Sequence, residues 1–213
     1  MGINGENHVN GLSNFARSTK RHIDQQLLLL KELIKNPRDM GTISASSSAL
    51  ASAMVSDLSP GFIESGLFVE LGAGTGPVTL ALLKRGIPVN RLLVFEKSES
   101  LANCLSKRFP EARVLCRGAE EMSQCVEKGE YVKAVISSLP FRTLPVDVSR
   151  AIMSEIERTL APGGLYIQFT YALIGEMPFV PPSFRKVRSK FVLFNVPPAK
   201  VEVFCKPGIV GSV

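Results

Sequence analysis

The sequence predicts an α/β protein: a mostly parallel, doubly wound sheet with helices on both faces, ending in an antiparallel hairpin. Three observations lead there. From Leu67 onward, short apolar runs alternate with amphipathic stretches, as they do where parallel strands are buried on both sides by helices. Gly72, Gly74 and Gly76 directly follow the first of those runs, where such a sheet turns its chain around a ligand. Near the end, two strand-like runs succeed one another with no helix between them, and so short a connection pairs strands antiparallel.

Taken in order, Met1 to about residue 12 is polar and glycine-containing and reads as a tail. A helical pattern runs from about Leu12 to Asn36, where Pro37 should end it. A second short helix is expected over about Ser47 to Ser56. The strands follow as Leu67–Leu71, Leu92–Phe95, Arg113–Cys116, Ala134–Ser137 and Leu165–Tyr171. Between them lie helices over Pro77–Lys84, about Glu99–Phe109 and about Ser149–Leu160, the last running into Pro162-Gly163-Gly164. The closing hairpin comprises runs near Val187–Asn195 and Lys200–Cys205 around Val196-Pro197-Pro198-Ala199. The expected organisation is a tail over 1–12, a helical segment over 13–60, the main domain over 61–207 and a tail over 208–213.

The 213 residues suit one domain with a sizeable core. A hydrophobic fraction of 45% and a charged fraction of 21% argue against wholesale disorder. A net charge of +6 points to an anionic partner, whether nucleic acid, anionic lipid or phosphorylated metabolite. Cys104, Cys116, Cys125 and Cys205 form no C-x-x-C pair, and His8 and His22 both lie near the N-terminus. No metal site is expected, and the cysteines read as reduced thiols in a cytosolic protein. The start is unlike a signal peptide, and the cluster Leu27–Leu30 is cut off by Lys31, far short of a membrane span.

The candidate ligand site is Glu70-Leu71-Gly72-Ala73-Gly74-Thr75-Gly76. Glycines permit a tight turn and close approach of backbone to ligand, and the helix behind them offers unpaired N–H groups. A dinucleotide site is the alternative, since glycines of this kind are weak evidence alone. The G-x-G-x-G spacing favours S-adenosylmethionine instead. So does Glu70, placed at the strand end to pair with the ammonium of that cofactor's methionine part. Glu96 closes the second strand where a carboxylate would bind ribose hydroxyls, with Lys97 beside it. After the third strand, Gly118-Ala119-Glu120 borders the same edge. Glu120 is either a ligand there or a solvated acid opening a helix with Glu121.

The loop Ser137-Ser138-Leu139-Pro140-Phe141 leaves the fourth strand at the carboxyl edge, where these sheets place their active sites. Ser137, Ser138 and Tyr171 are the candidate catalytic groups, as hydrogen-bond acceptors able to help an amine lose its proton. The Tyr171 ring would also attract a cationic product, or it is a strand-end tyrosine packed on the core.

From about Phe15 to Cys205 the chain resembles the bacterial phospholipid N-methyltransferases. The resemblance rests on Asn36-Pro37, Met40-Gly41-Thr42-Ile43, Ser46-Ser47, the glycine turn and Ser137-Ser138-Leu139-Pro140. It extends to Gln168-Phe169-Thr170-Tyr171 and Asn195-Val196-Pro197-Pro198-Ala199. Ala45, Ala119 and Lys133 depart from it, standing where a proline, an acid and another acid are usual. The resemblance implies a Rossmann-like class I methyltransferase with a seven-stranded sheet and an added N-terminal amphipathic helix. It further implies S-adenosylmethionine as cofactor, an acceptor nitrogen held by the loop after the fourth strand, an adenine contact near Ala119 or Glu120, and Ser138 among the cofactor-binding residues. The implied reaction is stepwise methylation of phosphatidylethanolamine towards phosphatidylcholine, by a cytoplasmic enzyme bound peripherally to the inner face of the cell membrane. The N-terminal pattern agrees: Phe15, Ile23, Leu27, Leu30, Leu33 and Ile34 fall within an arc of about 120° on a helical wheel. Arg17, Lys20, Arg21, Lys31 and Lys35 share the adjoining arc, as in a helix lying in an anionic bilayer interface. The Arg185–Lys190 cluster is a second candidate for lipid phosphate. The competing readings are an rRNA adenine dimethyltransferase, with Phe141 stacking a flipped base, and a noncatalytic S-adenosylmethionine-binding protein. Nucleic acid is the less favoured partner, because the chain stops soon after the hairpin.

Overall fold

The computed structural model describes residues 40–195 and 197–208. The N-terminal amphipathic helix and the two tails expected from the sequence lie outside them. A compact unit spans Ala45–Val213 and contains every strand. Its sheet has seven strands, as expected, in the order β3-β2-β1-β4-β5-β7-β6. The strands are β1 (Leu67–Leu71), β2 (Leu92–Phe95), β3 (Arg113–Leu115), β4 (Val132–Ser137), β5 (Leu160–Thr170), β6 (Arg185–Val192) and β7 (Ala199–Cys205). The first five are parallel, and β7 runs antiparallel to both β5 and β6. Because β2 and β4 flank β1, the chain winds one way from β1 to β3 and then returns to wind the other way.

Two cores cover the two faces of the sheet. On one, helices α1 (Met40–Val55), α2 (Pro77–Lys84) and α3 (Glu99–Arg108) place Met54, Leu82 and Leu105 against Phe68, Val94, Ile136 and Val203. On the other, α4 (Val146–Thr159) places Ile152, Met153 and Ile156 against Val69, Phe95, Val135 and Tyr166. Successive residues of a strand point to opposite faces, so the alternation Leu67, Val69 and Leu71 against Phe68 and Glu70 divides β1 between the cores. The helices carry ordinary signals. Pro77 opens α2 with its φ already suited to a helix, and Lys107 and Arg108 sit favourably at the carbonyl end of α3.

Three boundaries differ from the sequence reading. Helix α1 begins at Met40 and not near Ser47; serines lower helix propensity without breaking the helix. Helix α4 ends at Thr159, and Leu160 already pairs with Val132 before Pro162-Gly163-Gly164 is reached. The strand tolerates that turn because Gly163 N–H donates to Lys206 O at 2.7 Å and Lys206 N–H to Gly164 O at 3.0 Å. Strand β6 stops at Val192, because Asn195 folds back, its Nδ2 donating to Pro197 O at 2.6 Å.

Phe68 is fully buried in the β1 core, and Phe68→Ala is expected to lower unfolding stability by about 3–5 kcal/mol, measured as a shift of the urea midpoint.

Candidate active site

The chain winds away from β1 in opposite directions, so the carboxyl ends of β1 and β4 part and leave a crevice between the loops that follow them. The glycine turn forms its floor. Gly72 and Gly76 have φ of +71° and +86°, a left-handed backbone that residues with a Cβ rarely adopt. A Cβ on Gly72 would meet Leu139 Cδ2 at 2.8 Å, and one on Gly76 would meet Leu105 and Phe109 at the same distance. Gly74 differs, for nothing lies within 4 Å of where its Cβ would stand. Two of the glycines therefore let the turn close against its neighbours, while the middle one faces open space where a ligand can approach the backbone. Ala73 is buried and Thr75 is exposed at the same turn.

Two carboxylates fix this turn. Glu70 is completely buried, and Thr79 Oγ1 in the first turn of α2 donates to its Oε2 at 2.6 Å. Its Oε1 is buried without a hydrogen-bond partner among the described residues. Desolvation pushes the Glu70 carboxyl from 4.5 up to about 7, with the nearby Glu96 adding to the rise and hydrogen bonds from Thr79 opposing it. An unpartnered carboxylate oxygen costs free energy until a donor or cation reaches it. Glu96, at the end of β2, accepts Gly74 N–H at 2.8 Å through Oε2 and Ser98 N–H at 2.8 Å through Oε1. Its carboxylate thus stands beside the open face of Gly74. The orphaned Glu70 oxygen and the space over Gly74 fit a ligand with a cationic end and a hydroxyl-bearing body, such as S-adenosylmethionine.

Lys97 and Glu120 meet across the ends of β2 and β3, with Nζ 3.4 Å from Oε1. Both are partly exposed, so this pair borders the crevice as a screened surface contact. Ala119 is buried at the head of a 3-10 turn, and Glu121, not Glu120, reaches back to the Gly118 N–H.

On the acceptor side, Ser137 is fully buried and its Oγ accepts Leu139 N–H at 3.2 Å. Its hydroxyl therefore shapes the loop. Ser138 is half-buried, and its N–H donates to Leu71 O at 2.9 Å, tying the loop to the glycine turn. Gln168 was not among the site residues expected from the sequence, yet it holds this loop. Its Nε2 donates to Leu139 O at 2.9 Å and its Oε1 accepts Tyr166 O–H at 3.0 Å. The Leu139 and Pro140 carbonyls are engaged by Gln168, Phe141, Thr143 and Leu144, and the Ser138 carbonyl accepts no bond from the described residues. Tyr171 follows the last residue of β5, half-buried, its ring 5.3 Å from Phe169 and its hydroxyl beside the Asn195 side chain. Burial raises the Tyr171 phenol above its usual 10, so it stays protonated near neutrality. Phe141 is buried in the core beside α4. Thr79 and Gln168 escaped the sequence reading because their roles depend on neighbours distant in the chain. The signal for Gln168 was present only as part of the Gln-Phe-Thr-Tyr resemblance.

Comparison with known proteins agrees with the fold. Residues 68–164 match a family described as methyltransferase domain. An ornithine lipid N-methyltransferase from Singulisphaera acidiphila is 29% identical over 189 residues, covering 84% of this chain and 94% of the relative. Among solved structures, the glycopeptide N-methyltransferase MtfA in complex with S-adenosylmethionine superposes with a TM-score of 0.58 at 14% identity, over 76% of this chain and 94% of that one. The N-methyltransferase NodS from Bradyrhizobium japonicum gives 0.56 at 12% identity, over 73% and 94%.

Glu70 holds its proton in the fold up to about pH 7 but releases it near 4.5 once exposed. The folded state therefore binds the extra proton between those values, and stability falls as pH rises through them. Relative to Glu70→Gln, the ligand-free protein is expected to lose on the order of 3 kcal/mol between pH 5 and pH 8, at 1.36 kcal/mol per pKa unit, measured by urea unfolding at each pH. Glu96→Ala strands two amides and removes the carboxylate beside Gly74, so S-adenosylmethionine affinity is expected to fall by about 1–3 kcal/mol in calorimetry.

Proposed function

We propose that this chain, a class I S-adenosylmethionine-dependent methyltransferase, methylates the amino nitrogen of a phospholipid headgroup at the inner face of the cell membrane. The expected acceptor is phosphatidylethanolamine, carried stepwise towards phosphatidylcholine. The similarity to a lipid N-methyltransferase over nearly the whole of that relative supports this reading most directly. That relative's name gives an ornithine lipid as its acceptor, and both lipids present an amino group at a membrane surface.

S-adenosylmethionine, when bound, supplies a methyl group on a sulfonium, ready for in-line attack by a nitrogen lone pair. The unpartnered Glu70 oxygen would receive its ammonium, and Glu96 its sugar hydroxyls, while Gly74 lets the backbone approach. Ala119, Glu120 and Lys97 border the side where its base would lie. The chain's remaining task is to present an unprotonated amine in line. The Ser138 carbonyl and hydroxyl would hold the nitrogen, and Gln168 keeps that loop in place by binding Leu139 O. Tyr171, protonated near neutrality, would accept a hydrogen bond through its oxygen or set its ring against the cationic product. The amine's proton leaves to a hydrogen-bonded acceptor as burial disfavours the ammonium form.

Labelled methyl groups are expected to appear in vesicles containing phosphatidylethanolamine and not in a ribosomal RNA fragment. Transfer to ornithine lipid alone would move the acceptor to the relative's substrate, and transfer to RNA alone would overturn the lipid reading.

A further inference from the structure

The rim of the crevice carries an apolar surface that the lipid reading does not by itself require. Ile174 is 81% exposed, Leu193 68% and Phe194 92%. Strand β5 ends at the carboxyl edge of the sheet, and β7 runs antiparallel to it. The β6–β7 turn bearing Leu193 and Phe194 therefore stands on that same edge, beside the segment after β5 bearing Ile174. The two are joined: Lys200 Nζ donates to Gly175 O at 2.8 Å, and the Asn195 side chain lies beside the Tyr171 hydroxyl. Buried Asn195 and Lys200 also pin the turn from inside. The apolar tips thus stand on a braced scaffold.

The charge of the hairpin segment is one-sided, although Arg185, Lys186 and Lys206 lie at its far end. From Tyr171 to Lys206 the cations are Arg185, Lys186, Arg188, Lys190, Lys200 and Lys206, against Glu176 and Glu202. Lys186 pairs with Glu202 and Arg188 with Asp57, whereas Arg185 and Lys190 have no ion-pair partner among the described residues. Exposed aromatic and aliphatic tips beside the unpaired Lys190 match a bilayer interface, apolar below and anionic at the phosphates. At a strand spacing of ~4.8 Å, β7 and β6 lie about 10 and 14 Å to the side of β4, so a surface seated on them is close to the Ser138 loop.

We propose that Ile174, Leu193 and Phe194 insert into the headgroup region of an anionic bilayer, with Lys190 against lipid phosphate, and so dock the crevice where an acceptor headgroup can enter it. This rests on the lipid reading for its purpose but not for its test. The chain contains no tryptophan, so Phe194→Trp in the full chain provides a single fluorophore at the tip. On vesicles of phosphatidylglycerol and phosphatidylethanolamine its emission is expected to shift to the blue and to be quenched by lipids brominated along the acyl chain. Emission unchanged by vesicles overturns the proposal, as does a blue-shifted emission without vesicles accompanied by the mass of two chains, which would assign the surface to a second copy. Leu193→Asn with Phe194→Asn is expected to weaken vesicle sedimentation at least tenfold, with methylation of a short-chain, water-soluble phosphatidylethanolamine kept within twofold. Undiminished sedimentation overturns the docking surface. If the unaltered chain methylates neither lipid, the acceptor assignment fails, while the fluorescence result still decides the docking surface.

Discussion

Glu96 reaches from the end of β2 to the Gly74 amide, and Glu70 reaches from β1 to Thr79 in the helix that the glycine turn leads into. Between them these carboxylates clamp the turn from both sides, Glu70 in the dry interior and Glu96 at the edge of the crevice. A buried acid held this way is stable only when hydrogen-bonded or protonated, and one Glu70 oxygen is buried with no partner among the described residues. The site therefore holds an unmet demand for a cationic donor. The position of the demand follows from topology: only where the winding direction reverses do adjacent strand ends part widely enough to leave room above the turn.

The acceptor loop depends on the same turn. Ser138 N–H binds Leu71 O, and Leu139 packs where a side chain on Gly72 would stand. Gln168 then ties the loop to β5 through Leu139 O. A shift in the glycine turn would thus be transmitted to the acceptor side through packed atoms and two hydrogen bonds. Such coupling suits a transfer that requires two reactants to be aligned within a fraction of an ångström. Ser137, read from the sequence as a candidate catalytic group, contributes from within by accepting the Leu139 amide.

At the hairpin, the antiparallel strand β7 turns the edge of the sheet into a presenting surface. It returns the chain to the carboxyl edge, so the β6–β7 turn shares a rim with the crevice. Lys200 and Asn195 meet the polar needs of the two loops from below, which leaves their apolar residues free to face outward.

The sequence alone determined the layer order, the strand positions to within a few residues, the glycine turn and the candidate carboxylates. Those features are local: hydrophobic period, glycine spacing and the absence of a helix before the hairpin are all written over a few consecutive residues. Tertiary structure alone decided which atoms meet. That Glu120 faces Lys97 while Glu121 takes the Gly118 amide, that Gln168 grips a carbonyl 29 residues away, and that strand β5 runs through Pro162-Gly163-Gly164 could not be read locally. Each depends on the register between strands far apart in the chain, and register is set by packing over the whole sheet. The same holds for Phe194, whose neighbours in the sequence are apolar enough to suit a core, and which only the antiparallel return of β7 leaves at the rim of the crevice.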